Sequence, residues 1–166
     1  MMPIEESFTD HKIISIEKIA SQVKFWRKKS GKLVFTNGCF DILHSGHVRY
    51  LQTASGFGDI LIVGLNSDAS VRLLKGKRRP IMKQTDRAYL LSAIEAIDCI
   101  VIFDEETPAK LIKIVNPDVL VKGGDYLPDD VVGNDIVKKN GGCVKIVPYV
   151  EGKSTSEIVN SILDQS

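Results

Sequence analysis

His44 and His47 stand three residues apart in the stretch Thr36-Asn37-Gly38-Cys39-Phe40-Asp41-Ile42-Leu43-His44-Ser45-Gly46-His47. The chain holds only three histidines, so this pairing is a concentrated signal. Before it runs the apolar Leu33-Val34-Phe35; after it Val48, Tyr50, Leu51 and Ala54 follow at helical spacing. The pattern predicts a strand, a turn through Gly38, and a helix that starts close to His47. Positions i and i+3 share a helix face, which points both imidazoles the same way from the helix N-terminus. Backbone N–H groups are unpaired there and the dipole is positive, a setting that suits phosphate. Gly46 lets a ligand approach the backbone. The chemistry indicated is attack at a phosphorus, where charge grows on the oxygens and preset imidazole donors stabilise it. His-x-x-His can also chelate a metal. No third His or suitable Cys lies nearby, so no metal-ligand set is expected in the chain.

Three further stretches carry chemistry. Lys75-Gly76-Lys77-Arg78-Arg79-Pro80-Ile81 is a basic loop punctuated by Gly and Pro, suited to phosphate contact through at least one member. Lys122-Gly123-Gly124-Asp125-Tyr126 follows a buried strand. Its glycines permit close backbone approach, and Asp125 can accept from a ribose or sugar hydroxyl; a plain tight turn reads equally from Gly-Gly-Asp. Glu151-Gly152-Lys153-Ser154-Thr155-Ser156 opens the last helix. Ser154 with Glu157 forms a capping box, and the same hydroxyls and free N–H groups suit phosphate oxygens. Arg87 reads either as a surface charge or as a salt-bridge partner.

The elements that must position these residues alternate. Ile16–Lys28 is an amphipathic helix, and Leu33–Thr36, Ile60–Leu65, Cys99–Phe103, Val119–Val121 and Val144–Val147 are short strands. Helices are expected over His47–Ser55, Asp68–Leu74 and Arg87–Ala96, at Thr107-Pro108 with the proline at the first helical position, and from Ser154 to Leu163. Strands apolar throughout and separated by helices predict an α/β, Rossmann-like, doubly wound parallel sheet flanked by helices. Such a sheet binds ligands beyond the carboxyl ends of its strands, where every motif above falls. The chain of 166 residues reads as one domain, residues 1–166, with 1–30 an N-terminal segment and helix.

Composition narrows the field. With 43% apolar and 26% charged residues the chain is ordinary for a globular protein, and a net charge of +1 gives no general pull toward nucleic acid or anionic membrane. No apolar run reaches the ~18 residues of a membrane span. The acidic, polar start is unlike a secretory signal, and three widely spaced cysteines suit free thiols in a reducing cytoplasm. Neither a nucleic-acid nor a membrane partner is expected.

Gly38-Cys39-Phe40-Asp41-Ile42-Leu43-His44-Ser45-Gly46-His47 resembles the signature of the cytidylyltransferase-like nucleotidyltransferases, relatives of the class I aminoacyl-tRNA synthetases. The resemblance implies joining of a nucleoside triphosphate to a phosphorylated substrate with release of pyrophosphate and no covalent enzyme intermediate. By the same resemblance His44, His47 and Arg79 are catalytic. Thr36, Asn37, Gly38, Phe40, Gly46, Lys75, Gly123, Asp125, Ser154, Thr155 and Ser156 bind nucleotide, and Asp41 and Tyr126 bind the second substrate. Within the family, Leu74-Lys75-Gly76, Arg79-Pro80-Ile81, the run from Pro117 to Tyr126 and Ser154-Thr155-Ser156 are similar to the heptose 1-phosphate adenylyltransferase branch. That branch implies ATP and a sugar 1-phosphate as substrates, Mg2+ as cofactor, and ADP-heptose as product for lipopolysaccharide core assembly. It also implies a stand-alone form fed by a separate heptose kinase; a homodimer or higher homo-oligomer stays open. Met82-Lys83 and Lys153 depart from the branch's usual Asn-Pro and small residue. A glycerol-3-phosphate or other polyol-phosphate cytidylyltransferase is the alternative enzyme, and a nucleotide-binding regulatory module the non-enzyme alternative.

Overall fold

The computed structural model describes residues 10–29, 31–148 and 155–164. Five strands form one sheet: β1 (Leu33–Gly38), β2 (Ile60–Asn66), β3 (Cys99–Phe103), β4 (Val119–Gly123) and β5 (Cys143–Val147). Their order is β3-β2-β1-β4-β5 and every pair is parallel. The chain moves outward from β1 to β3, then returns to place β4 on the other side of β1. The topological switch therefore lies between β1 and β4, where a crevice opens at the carboxyl ends.

Side-chain alternation divides the core into two layers. Leu33, Phe35 and Leu120 face one side with Ile19 and Val23 of α1 (Ile16–Lys28), and with Leu111, Ile112 and Val115 of α5 (Ala109–Val115). Val34, Val63, Val119 and Val121 face the other. There they meet Leu51 and Ala54 of α2 (Ser45–Ser55) and Ala88 and Leu91 of α4 (Gln84–Ser92). The remaining helices are α3 (Asp68–Lys75), α6 (Asn134–Lys139) and α7 (Thr155–Leu163). Close backbone approach is required at Gly64 on β2, where a Cβ would lie 2.9 Å from the Phe35 ring.

The expected α/β sheet is present, and α1 and β3 have the expected limits. Four details differ. The helix after β1 begins at Ser45 rather than near His47, with His44 as an extended N-cap. Helix α4 spans Gln84–Ser92 rather than Arg87–Ala96. Its start is held by Gln84, whose side-chain oxygen accepts from the Asp68 N–H at 2.8 Å. Past Ser92 the chain turns, with Ile97 N–H donating to Ile94 O, and sinks Ile97 into the core ahead of β3. Pro108 caps α5 instead of occupying its first turn. Short α6 carried no clear periodicity; it is six residues long and is fixed by burial of Val137. The Ser154 capping box lies outside the described residues.

One buried side chain fastens the strand ends. Arg87 on α4 is 1% exposed. It donates from Nη1 to Cys39 O at 2.6 Å and Asn66 O at 2.8 Å, and from Nε to Met82 O at 3.0 Å. Nη2 pairs with Asp68 Oδ1 at 2.8 Å. The loop after β1, the end of β2, the start of α3 and the entry to α4 thus share one guanidinium. Its planar fork matches several fixed acceptors at once, which an ammonium does not. Removing it leaves Asp68 and buried carbonyls without their donor. Arg87→Met is expected to lower stability by about 3–5 kcal/mol, read as a drop in the urea midpoint. Arg87→Lys should recover only part of that loss.

Candidate active site

A cleft of about 910 Å³ opens over the carboxyl ends of β1 and β4. Its walls include Asn37, Gly38 and Phe40 after β1, His44, Gly46 and His47 at α2, Lys75 at the end of α3, and Gly123 and Tyr126 after β4. Thr155 and Ser156 at the start of α7 complete one side. Residues up to 120 positions apart, from Asn37 to Glu157, converge here because a parallel sheet delivers all its strand ends to one edge.

The two imidazoles stack, with ring centroids 3.8 Å apart and planes at 25°. The Phe40 ring meets His47 edge-on at 5.1 Å. Phe40 is 7% exposed and has φ of +45°, a left-handed conformation that a bulky residue rarely adopts. Strain of this kind, about 1–3 kcal/mol, gathers at functional sites and is held by its surroundings. Gly38 makes room for the bend, since a Cβ there would sit 3.0 Å from the Phe40 ring. Among the described residues the His44 side chain makes no capping bond to α2, and the first N–H groups of a helix are ones that suit a ligand beside the rings.

Burial pushes the His47 pKa down to about 4, assisted by the neighbouring His44 and Lys75. The His47 ring is therefore neutral at pH 7 in the free protein, and its Nδ1 is buried with no hydrogen-bond partner among the described residues. A neutral imidazole still donates one hydrogen bond to a phosphate oxygen. An arriving polyanion favours the charged ring, so ligand binding and proton uptake are coupled.

The other expected site residues divide between the cleft and its supports. Thr36 is fully buried and does not line the cleft. Strand alternation turns it toward α2, where its Oγ1 lies 2.6 Å from the Tyr50 hydroxyl, which also donates to Val121 O. That triad ties α2 to β1 and β4. Asp41 touches the cleft but is 3% exposed, and its oxygens accept from Arg79 at 2.8 Å and from the Ile81 and Met82 N–H groups at 2.7 and 3.0 Å. Burial works to raise the Asp41 pKa; the Met82 N–H, Arg79 and the Ile81 N–H outweigh it and hold the carboxyl below its ordinary range. Arg79 is thereby turned into an ion pair and is absent from the cleft wall, whereas Lys75 lines it. Asp125 is exposed and also off the wall; Ser154 lies outside the described residues.

Two contributors were not singled out from sequence. Arg87 had only its charge as a signal, because all its partners are distant in the chain. Lys122 was seen as part of Lys-Gly-Gly-Asp-Tyr, yet its ammonium reaches the cleft and lies 3.4 Å from Asn37 Oδ1. Strand alternation was the available clue, since it sets Lys122 on the same face as Leu120 and Asn37.

The cytidylyltransferase-like family profile matches residues 35–161, a span that includes both imidazoles and nearly all of the cleft. The chain belongs to the cytidylyltransferase-like family. That membership marks it as a nucleotidyltransferase and agrees with the signature read around His44 and His47. The bifunctional protein HldE of Geobacter metallireducens is 51% identical over 162 residues, 98% of this chain and 33% of that protein. HldE of Wolinella succinogenes is 61% identical over 148 residues, 89% of this chain and 30% of that protein. The chain thus spans about a third of the length of the curated relatives it matches. Among solved structures, the lipopolysaccharide core biosynthesis protein of Thermoplasma volcanium is 32% identical with a TM-score of 0.60. That match covers 74% of this chain and 99% of the solved one. No helix among the described residues is long and apolar enough to cross a membrane.

Proton linkage gives a direct check on the His47 environment. Its folded pKa of about 4 lies below the ordinary 6.5, so the unfolded state takes up its proton first as pH falls. The His47 contribution to stability is expected to be intact above pH 6.5 and to be lost as pH drops toward 4. Thermal melts from pH 7 to 4.5 should fall less steeply for His47→Gln than for the parent. Calorimetric titration with ATP near pH 5.5, in buffers of different ionisation heat, should register net proton uptake that this variant lacks.

Proposed function

We propose that this chain is an adenylyltransferase that joins ATP to D-glycero-β-D-manno-heptose 1-phosphate, giving ADP-heptose and pyrophosphate. The observation that carries the reading is the stacked imidazole pair at the N-terminus of α2, set in the switch-point crevice. The long identity with the bifunctional HldE proteins supports the choice of branch.

The sugar's phosphate oxygen attacks the α-phosphorus in line. The bond from that phosphorus to the bridging oxygen breaks, and the electron pair leaves with pyrophosphate. A phosphate monoester is largely dianionic near pH 7, so the nucleophile needs no general base. His44 and His47 donate to oxygens on which charge accumulates. The first N–H groups of α2 take the adjoining phosphate, and Lys75, Thr155 and Ser156 are placed to hold the β/γ end. Arg79 and Asp41 act one step back, by fixing the loop that follows Lys75. Tyr126 borders the space left for nucleoside or sugar.

A divalent metal fits this chemistry, and Mg2+ is the natural ion for a triphosphate. Among the described residues no three His, Cys, Asp or Glu side chains converge on one point. The ion would arrive on the triphosphate and keep phosphate and water ligands, as Mg2+ usually does. The sugar 1-phosphate must come from a reaction that phosphorylates the anomeric oxygen, which places a sugar kinase upstream, and the product feeds lipopolysaccharide core assembly.

Pyrophosphate release tests the reading. ATP with heptose 1-phosphate is expected to turn over, and CTP with glycerol 3-phosphate is not. The reverse outcome would establish a polyol-phosphate cytidylyltransferase; tight ATP binding without turnover on any acceptor would indicate a regulatory module. His47→Ala should lower kcat by about 10²–10³, the usual loss for one preset charge-stabilising donor. Near-normal turnover in that variant would remove His47 from the mechanism.

A further inference from the structure

Lys122 is a cation in search of an anion. It stands at the carboxyl end of β4 and lines the cleft. Its ammonium has three protons to donate, and the acceptor it meets among the described residues is a neutral amide oxygen, Asn37 Oδ1, at 3.4 Å. Among the described residues it forms no ion pair. Burial holds its pKa below the usual lysine range, partly countered by the nearby Cys39 thiol. A half-buried ammonium kept without a counter-ion costs stability, and such a cost is commonly retained where function needs it.

Its position relative to the imidazoles is informative. His44 is the N-cap of α2 and His47 lies in its first turn, and α2 packs on the sheet face carrying Val34, Val119 and Val121. Lys122 follows Leu120 in the alternation of β4 and so projects toward the opposite face, the one covered by α5. The cleft passes over the sheet edge and touches both. On the Lys122 side it is bounded by Thr107 and Pro108 before α5 and by Val131 and Val132, with carboxylates of Glu106 and Asp130 at the rim. An in-line displacement needs the incoming and departing oxygens on opposite sides of the α-phosphorus. Two sets of hydrogen-bond donors on opposite faces of one sheet, the imidazoles and the Lys122 ammonium, bridged by a single cleft, match that requirement.

We propose that the α5 side of the cleft is the acceptor subsite: Lys122 binds the phosphate of the incoming sugar phosphate, and the rim carboxylates accept hydrogen bonds from its hydroxyls. The ligand class is a hydroxyl-rich phosphate monoester. The assignment rests on the adenylyltransferase reading above and adds which end of the cleft each substrate enters. Lys122 offsets the repulsion between two anionic substrates as the acceptor oxygen forms its bond to the α-phosphorus and pyrophosphate departs with the electron pair of the broken bond.

Steady-state kinetics on the full chain separate the possibilities, with ATP and heptose 1-phosphate varied independently. Lys122→Met is expected to raise the acceptor KM at least tenfold and leave the ATP KM within twofold. Lys122→Arg should restore most of the acceptor affinity. The Met variant should melt at the same temperature as the parent or higher, because an uncompensated charge has been removed. An unchanged acceptor KM, an equal rise in the ATP KM, or a clearly lower melting temperature would each overturn the assignment. A parent enzyme that releases no pyrophosphate with any sugar phosphate would instead overturn the adenylyltransferase reading, and no variant is needed to see it.

Discussion

The guanidinium of Arg87 is the constraint on which the cleft depends. Parallel strands bring their ends to one edge, but they leave the loops beyond those ends to find their own partners. Arg87 supplies those partners for the backbone at Cys39, Asn66 and Met82 and for the carboxylate of Asp68. A buried charge is costly unless nearly every donor is used, and here four acceptors surround it. Asp41 does the complementary work from the acceptor side, collecting Arg79 and two backbone N–H groups. Between them these two residues shape the loop of Phe40 and the segment that follows Lys75, without either needing to touch a reacting atom.

The groups left facing the cleft have the opposite character. His47 is neutral by burial, and Lys122 is a cation held in an unfavourable place. Each would be better accommodated beside a phosphate, as the proposed function requires. Fixed donors that need no rearrangement at the moment of reaction are the most effective form of charge stabilisation. The stacked rings and the bent Phe40 backbone show how much local order the scaffold imposes at the cleft.

Much of this was legible in the sequence. Runs such as Leu33-Val34-Phe35 and Cys99–Phe103 are apolar on every residue, as in a sheet covered on both faces, and the helical spacing after His47 put a helix start beside the imidazoles, two residues later than its true one at Ser45. Periodicity reports which way a side chain faces. It does not report which distant group that side chain meets. Arg87 finds Cys39 across 48 positions and Arg79 finds Asp41 across 38, so one was left undecided and the other was assigned to phosphate. Thr36 was read as pocket-lining because it borders the signature, although alternation along β1 turns it to Tyr50. The limits of α4 slipped for a related reason: its start is fixed by Gln84 reaching Asp68, not by any local capping pattern.

Phe40 belongs at once to the apolar layer beneath α2 and to the wall against which His47 rests. The candidate site and the interior therefore share one aromatic plate. Loosening of the layer below, through warmth or through a trimmed side chain at Leu51 or Val121, is transmitted to the imidazole as a looser bearing.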